Sequence, residues 1–244
     1  MQRPHTFSIN EHYHLYNRGT DKRPIFLDRN DYHRFMILLY LCNTNEPLDM
    51  QKIFVKPGEG PSFTEIFEIK RKDPIVAINA WTLMPNHFHL LVKEITEGGI
   101  TTFMRKVNTG YSMYFNKKYN RTGNLFEGKF KSKHADNDNY LKYLFSYIHL
   151  NAVKLIDDES RWKEVGISNF KNAKDFLIKY EYSSLANYIG IERKYNKIVT
   201  EDLFYEYFPD EKAAWVEILE WLSYKNLVED GVKDGPSQKE QNEK

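Results

Sequence analysis

Cysteine is almost missing from this chain: Cys42 is the only one in 244 residues. An intrachain disulfide and a thiolate zinc cluster are therefore both excluded. Cys42 ends the apolar run Ile37-Leu-Leu-Tyr-Leu-Cys42 and reads as a packing residue. Long hydrophobic runs are missing too, and no basic n-region followed by an apolar stretch opens the sequence. The expectation is a soluble, cytoplasmic protein with no membrane partner. An excess of either charge is also lacking. The 35 Lys and Arg against 34 Asp and Glu give a formal net charge of +1. That total decides nothing about nucleic acid. No internal repeat is visible.

What is present is enough apolar and aromatic material, 41% and 15%, to build a substantial core. The charges are also unevenly placed. Arg105, Lys106, Lys117, Lys118, Arg121, Lys129, Lys131 and Lys133 fall in one stretch with Glu127 as the single acid among them. Beyond residue 200 the balance turns acidic. The basic stretch suits a phosphate-binding surface, and an ordinary solvated helix face explains it equally well.

Periodicity outlines the elements. Residues 12–18 alternate weakly and suit a strand. A helix over about 30–43, capped by Asp28 or Asn30, carries Phe35, Leu38, Leu39 and Cys42 at helical spacing. Residues 44–74, punctuated by Pro47, Pro57, Gly58, Gly60 and Pro61, read as an insertion with at most short elements. Ile75 to Met84 and His87 to Lys93 form a strand hairpin. A helix follows over about 101–119, then an extended piece over 124–133. A second long helix over about 138–153 is capped by Asn137 or Asp138. This order predicts an α+β sandwich with a mainly antiparallel sheet and helices on one face. The expected division is a catalytic domain over 1–155, a mostly helical C-terminal extension over 156–227 and a disordered tail over 228–244. The aromatics Trp162, Phe170, Trp215 and Trp221 of the extension are expected to bury against the first domain.

The most informative segment is Trp81-Thr-Leu-Met-Pro-Asn-His-Phe-His-Leu-Leu-Val-Lys-Glu94. Side chains alternate along a strand, so His87 and His89 share one face and Phe88 takes the other. Two imidazoles on a rigid strand make half of a divalent-metal site. The spacing alone is unspecific, since His12-Tyr-His14 has it too, and a polar strand face is the plain alternative. On the second long helix, Tyr143, Tyr147 and Asn151 recur every four residues and form one polar stripe. Taken singly, each tyrosine reads as an amphipathic core residue.

Taken together, the motifs resemble the REP-associated tyrosine transposases, a branch of the HUH single-tyrosine DNA transposases. The resembling residues are Tyr13-His-Leu-Tyr-Asn-Arg-Gly19, Ala80 to Leu91, and Tyr114-Phe-Asn with Arg121 to Ser132. Tyr147-Ile-His-Leu-Asn-Ala-Val-Lys154 completes them, with a weaker echo at Tyr182-Ser-Ser184. The likeness covers residues 10–155. It implies a ferredoxin-like, RRM-like domain that cleaves and rejoins single-stranded DNA next to imperfect hairpins through a 5′-phosphotyrosine. It implies Tyr147 as nucleophile, and Mg²⁺ or Mn²⁺ held by His87, His89 and Asn151. Tyr147 is preferred to Tyr143 because Asn151 follows it by one helical turn. His149 points elsewhere on the helix, and His12 and His14 match the first strand rather than the metal motif. Arg18, Arg105, Lys129, Lys131 and Lys133 are the DNA-contact candidates. A non-catalytic nucleic-acid-binding module and an unrelated metallohydrolase are the competing readings. Monomer and homodimer are both open.

Overall fold

A computed structural model describes residues 6–47, 53, 60–156, 167–200 and 207–229, the last nine by backbone alone. Its elements in chain order are β1 (His12–Arg18), α1 (Arg29–Leu41), β2 (Val76–Met84), β3 (His87–Glu94), α2 (Gly99–Lys118), β4 (Lys131–Ala135) and α3 (Asp138–Leu150). The extension adds α4 (Phe170–Lys179), α5 (Leu185–Tyr188) and α6 (Glu211–Glu229). The four strands pair antiparallel in the order β2-β3-β1-β4. With α1 and α2 as the two crossovers, this is the ferredoxin-like arrangement.

The period of two along the strands sorts side chains to two faces. Tyr13 and Leu15 of β1 and Phe88, Leu90 and Val92 of β3 face one way. They meet Phe35 and Leu39 of α1 and Phe103, Val107 and Tyr111 of α2 in the main core. The two crossover helices thus share a face, whereas the third domain helix, expected beside them, does not. The other face carries α3. Ala80 and Leu91 pack there with Leu144, Phe145 and Ile148 of α3 and with Ala173, Leu177 and Ile218 of the extension.

Local chemistry sets the helix ends. Asp28 is the cap of α1, accepting from the Asp31 amide at 3.1 Å, with Asp31 reaching back to the Asp28 amide. Asp31 is fully buried. It also accepts from Tyr114 Oη, Tyr119 Oη and Lys118 Nζ, so one carboxylate ties the start of α1 to the end of α2. Asn137 caps α3 through the Tyr140 amide. Gly98, at φ +72°, admits the left-handed turn into α2. At Gly99, a β-carbon would lie 2.3 Å from the Ile75 carbonyl oxygen.

Two expectations change. The extended segment over 124–133 becomes a ladder only from Lys131. Between the pairs Tyr16–Lys131 and Gly19–Phe126, Asn17 and Arg18 face the four residues 127–130, which must bulge. Gly128, at φ +151°, takes the turn, and its carbonyl accepts from Asn17 Nδ2 at 3.1 Å. Phe170 was expected to be buried but is 40% exposed, because α4 turns Ala173 and Leu177 inward instead. Trp215 is partly buried. The Trp162 and Trp221 side chains and the tail from residue 230 lie outside the described residues.

The extension does more than cover α3. Leu83 N donates to Tyr182 O and Ser184 N to Trp81 O, both at 2.9 Å, and Thr82 bridges Ser183. These residues satisfy the outer edge of β2, a position that otherwise exposes unpaired backbone. Ser184 Oγ accepts from Trp81 N at 2.8 Å and lies 2.8 Å from His149 Nε2 on α3. All three residues are fully buried. Ser184→Ala leaves two buried polar atoms without this partner, each costing about 1–3 kcal/mol. Urea denaturation should show a loss of roughly 2–4 kcal/mol in total. Equal stability to the parent would mean that the buried hydroxyl is dispensable.

Candidate active site

Register brings the histidines together. Tyr16 of β1 lies opposite His89, and Arg18 opposite His87. His14, Tyr16 and Arg18 therefore share the α3 face of the sheet with His87 and His89. His14 Nε2 lies 2.8 Å from His89 Nδ1, with the rings stacked at 5.0 Å. His87 and His89 meet edge to face at 5.0 Å. Above them, the Tyr147 ring stands edge-on to His89 at 5.5 Å and to His14 at 5.9 Å. Tyr143 stacks against Tyr147 at 5.7 Å, and Tyr140 against Tyr143 at 5.9 Å.

Asn151 follows Tyr147 by one turn and is fully buried. Its Nδ2 donates to the Tyr147 carbonyl at 2.7 Å, and its Oδ1 accepts from Lys154 Nζ at 2.9 Å. The two bonds fix the amide orientation, since a flip would set an amino group against an ammonium. Asn86 is fixed likewise. Its Nδ2 donates to the Lys22 carbonyl at 3.1 Å, and its Oδ1 lies 2.6 Å from His87 Nδ1. His87 Nδ1 thus carries the proton and Nε2 keeps its lone pair. The turn that holds Asn86 is unusual, for Asp21 and Lys22 both have left-handed φ of 57°.

These observations bear on a metal. Among the described residues, no three His, Cys, Asp or Glu side chains are placed to hold a metal ion together. The donors present are two imidazoles and one amide oxygen. Each imidazole has its Nδ1 engaged by a neighbour, the outer-shell arrangement that orients ligating histidines. The pairing of His14 with His89 admits the tautomer that leaves His89 Nε2 a lone pair. These donor types suit a divalent ion, and the amide oxygen is held by Lys154.

Burial, with the positive charges of Lys154 and Arg18, holds the His87 imidazole down to about 4. It is neutral at physiological pH, the state a ligand needs. His12 is likewise lowered to about 4, mainly by burial, and buried His149 to about 3.

The DNA-contact candidates divide between two sides. Lys131 pairs with Tyr16 and Lys133 with His14, so both share the histidine face. The Lys133 ammonium lies over the Tyr140 ring at 4.7 Å. Arg18 is there too, with its Nε 2.5 Å from Glu127. Lys129 is exposed in the bulge. Arg105 is exposed on α2, the helix on the opposite face. Two of its basic neighbours are occupied: Lys118 pairs with Asp28 and Asp31, and Lys106 donates to the Glu46 carbonyl. The continuous basic stretch is therefore not one surface.

The sequence alone does not single out His14, Asn86 and Lys154, which the structure places against the candidate residues. Signals for all three existed. His14 has the parity of a same-face residue on a neighbouring strand, Asn86 precedes the first histidine, and Lys154 lies seven residues after Tyr147.

Residues 49–151 match the family model described as IS200-like transposase. No curated relative matches by sequence. Among solved structures, a REP-associated tyrosine transposase bound to a REP hairpin is 13% identical, with a TM-score of 0.46 over 80% of this chain and 89% of its own. A transposase-like protein of Deinococcus radiodurans R1 is 14% identical, with a TM-score of 0.32 over 61% and 95%. Yeast tRNA(His) guanylyltransferase is 9% identical, at 0.33 over 75% and 77%. Among the described residues, no helix is long and apolar enough to cross a membrane.

The lowered imidazoles make stability acid-sensitive. Below the ordinary histidine value of 6.5, the unfolded chain takes up protons that His12, His87 and His149 refuse when folded. Stability should be full above about pH 6.5 and fall towards pH 4, by roughly 2 kcal/mol per group at pH 5. Chemical denaturation at pH 7, 6 and 5 checks this, and a flat profile would contradict neutral buried imidazoles.

Proposed function

We propose that the chain cleaves and rejoins single-stranded DNA beside imperfect hairpins, with Tyr147 as nucleophile. The observation that carries this is the position of Tyr147 on α3, with its ring edge-on to His89 and His14 and one turn before Asn151. The hairpin substrate rests on the motifs shared with REP-associated transposases, and strand transfer on the IS200-like family.

Tyr147 Oη would attack the scissile phosphorus in line. The P–O3′ bond breaks as the tyrosyl–phosphorus bond forms. The electron pair leaves on the 3′ oxygen, which takes up a proton, and the phenol gives one to solvent. The product is a 5′-phosphotyrosine with a free 3′-hydroxyl, and attack by a 3′-hydroxyl reverses the step. His87, His89 and Asn151 Oδ1 would hold Mg²⁺ or Mn²⁺, which when bound supplies Lewis-acid polarisation of a phosphoryl oxygen. Asn86 and His14 fix the two imidazoles. Tyr143 backs the nucleophile ring and limits its rotation. Lys131 and Lys133 line the same face and suit the strand's phosphates, beside aromatic rings on which bases stack.

Incubation with hairpin-bearing single-stranded DNA and Mn²⁺ should give an SDS-stable adduct. Tyr147→Phe should abolish it while DNA binding survives, and Tyr143→Phe should retain it. An adduct from Tyr147→Phe but none from Tyr143→Phe would reverse the assignment.

Replacing Lys131 and Lys133 together by Gln should weaken single-strand binding about tenfold at low salt and less at high salt. Fluorescence anisotropy at two salt concentrations measures this. Unchanged affinity at both would remove β4 from the DNA path.

A further inference from the structure

Lys154 sits where a second cationic function is needed. Tyr147, Asn151 and Lys154 are four and seven residues apart, so they share one helical face. The first lies on α3 and the other two on the 3-10 turn that continues it, Asn151–Leu155. Lys154 Nζ donates to Asn151 Oδ1 at 2.9 Å. Burial holds its ammonium below the ordinary lysine range. Among the described residues no carboxylate pairs with it. Its charge also reaches His87, where it adds to that of Arg18. Among the described residues this half-buried ammonium is satisfied by one neutral amide, which suits it to receive an anion. Its four-carbon stem and three donors let it exchange one acceptor for another.

We infer that Lys154 is a phosphate-binding catalytic residue. In the free protein its ammonium holds Asn151 Oδ1, and in the loaded site it turns to a non-bridging oxygen of the scissile phosphate. This rests on the strand-transfer reading above. The residue carries no proton in the reaction. It stabilises charge that grows on phosphoryl oxygens as Tyr147 attacks, where one preorganised donor is worth about 10²–10³ in rate. Release of Asn151 Oδ1 by the same movement frees the third donor for a divalent ion. Lysine and ion therefore compete for one oxygen until phosphate draws the lysine away.

The competition gives opposite signs to two measurements on Lys154→Met, which keeps an unbranched apolar stem and loses the charge. Mn²⁺ titrated into the full chain without DNA and followed by electron paramagnetic resonance should bind at least about threefold more tightly, for the amide oxygen is free and a like charge is gone. Single-turnover adduct formation at saturating Mn²⁺ should fall about 100-fold, with hairpin DNA affinity changed little. Lys154→Arg should recover part of the rate. A residue that merely braced the fold would lower both metal affinity and rate together. Unchanged or weaker Mn²⁺ binding in Lys154→Met overturns the hold on Asn151, and a rate within about threefold of the parent overturns the phosphate role. If Lys154→Met does not fold, Lys154→Gln carries the same pair of measurements. Absence of any adduct from the parent chain overturns the strand-transfer reading, while the Mn²⁺ titration alone still decides whether Lys154 guards the amide oxygen.

Discussion

Everything at the candidate site depends on the alternation of side chains along β3. Phe88, Leu90 and Val92 are clamped in the main core, and none is exposed. Because they cannot turn, His87 and His89 are committed to the opposite face with a fixed spacing. Burial on one side of a strand thus does the positioning for chemistry on the other. The same parity on β1 delivers His14, and on β4 it delivers Lys131 and Lys133. A one-residue slip of either neighbour would disperse the cluster. The hydrophobic core and the polar site are two faces of a single register.

The tyrosine helix is held by a different means. α3 packs on the histidine face through Leu144, Phe145 and Ile148, and its depth there is set by buried polar bonds as well as apolar contact. His149 meets Ser184, and Ser184 meets the backbone of β2. His149 therefore serves the site without touching its chemistry. The extension joins the sheet edge and α3 in one network, which gives Tyr182-Ser-Ser184 a physical reason for its form. Tyr182 offers a carbonyl to the edge, Ser183 bridges it, and Ser184 links edge and helix.

Much of this was legible in the residues. Weak alternation indicates β1, an apolar run indicates β2, the parity of its histidines indicates β3, and helical spacing indicates the three domain helices. β4 was placed too early. Leu125 and Phe126 are buried as in a strand, but the bulge over residues 127–130 separates them from the ladder. Charge was harder to read than hydrophobicity. A linear basic stretch divides between opposite sides of the sheet when a helix and a strand carry its two halves, and Asp31 neutralises part of it from 87 residues away. His14, Asn86 and Lys154 act through pairings across strands or along a helical face. Their roles are pairwise, so no single residue displays them.

The Ser184 bonds span long stretches of chain: 35 residues to His149 and 103 to Trp81. Contacts between distant segments close late, since the chain must first lose the entropy of the loops between them. During synthesis, the sheet, both histidines and Tyr147 have all left the ribosome before residue 184 does. A nascent chain therefore carries the histidines and Tyr147 while α3 still lacks its fastening. The order of residues in the chain therefore fastens α3 only after the sheet and the tyrosine helix have both been made.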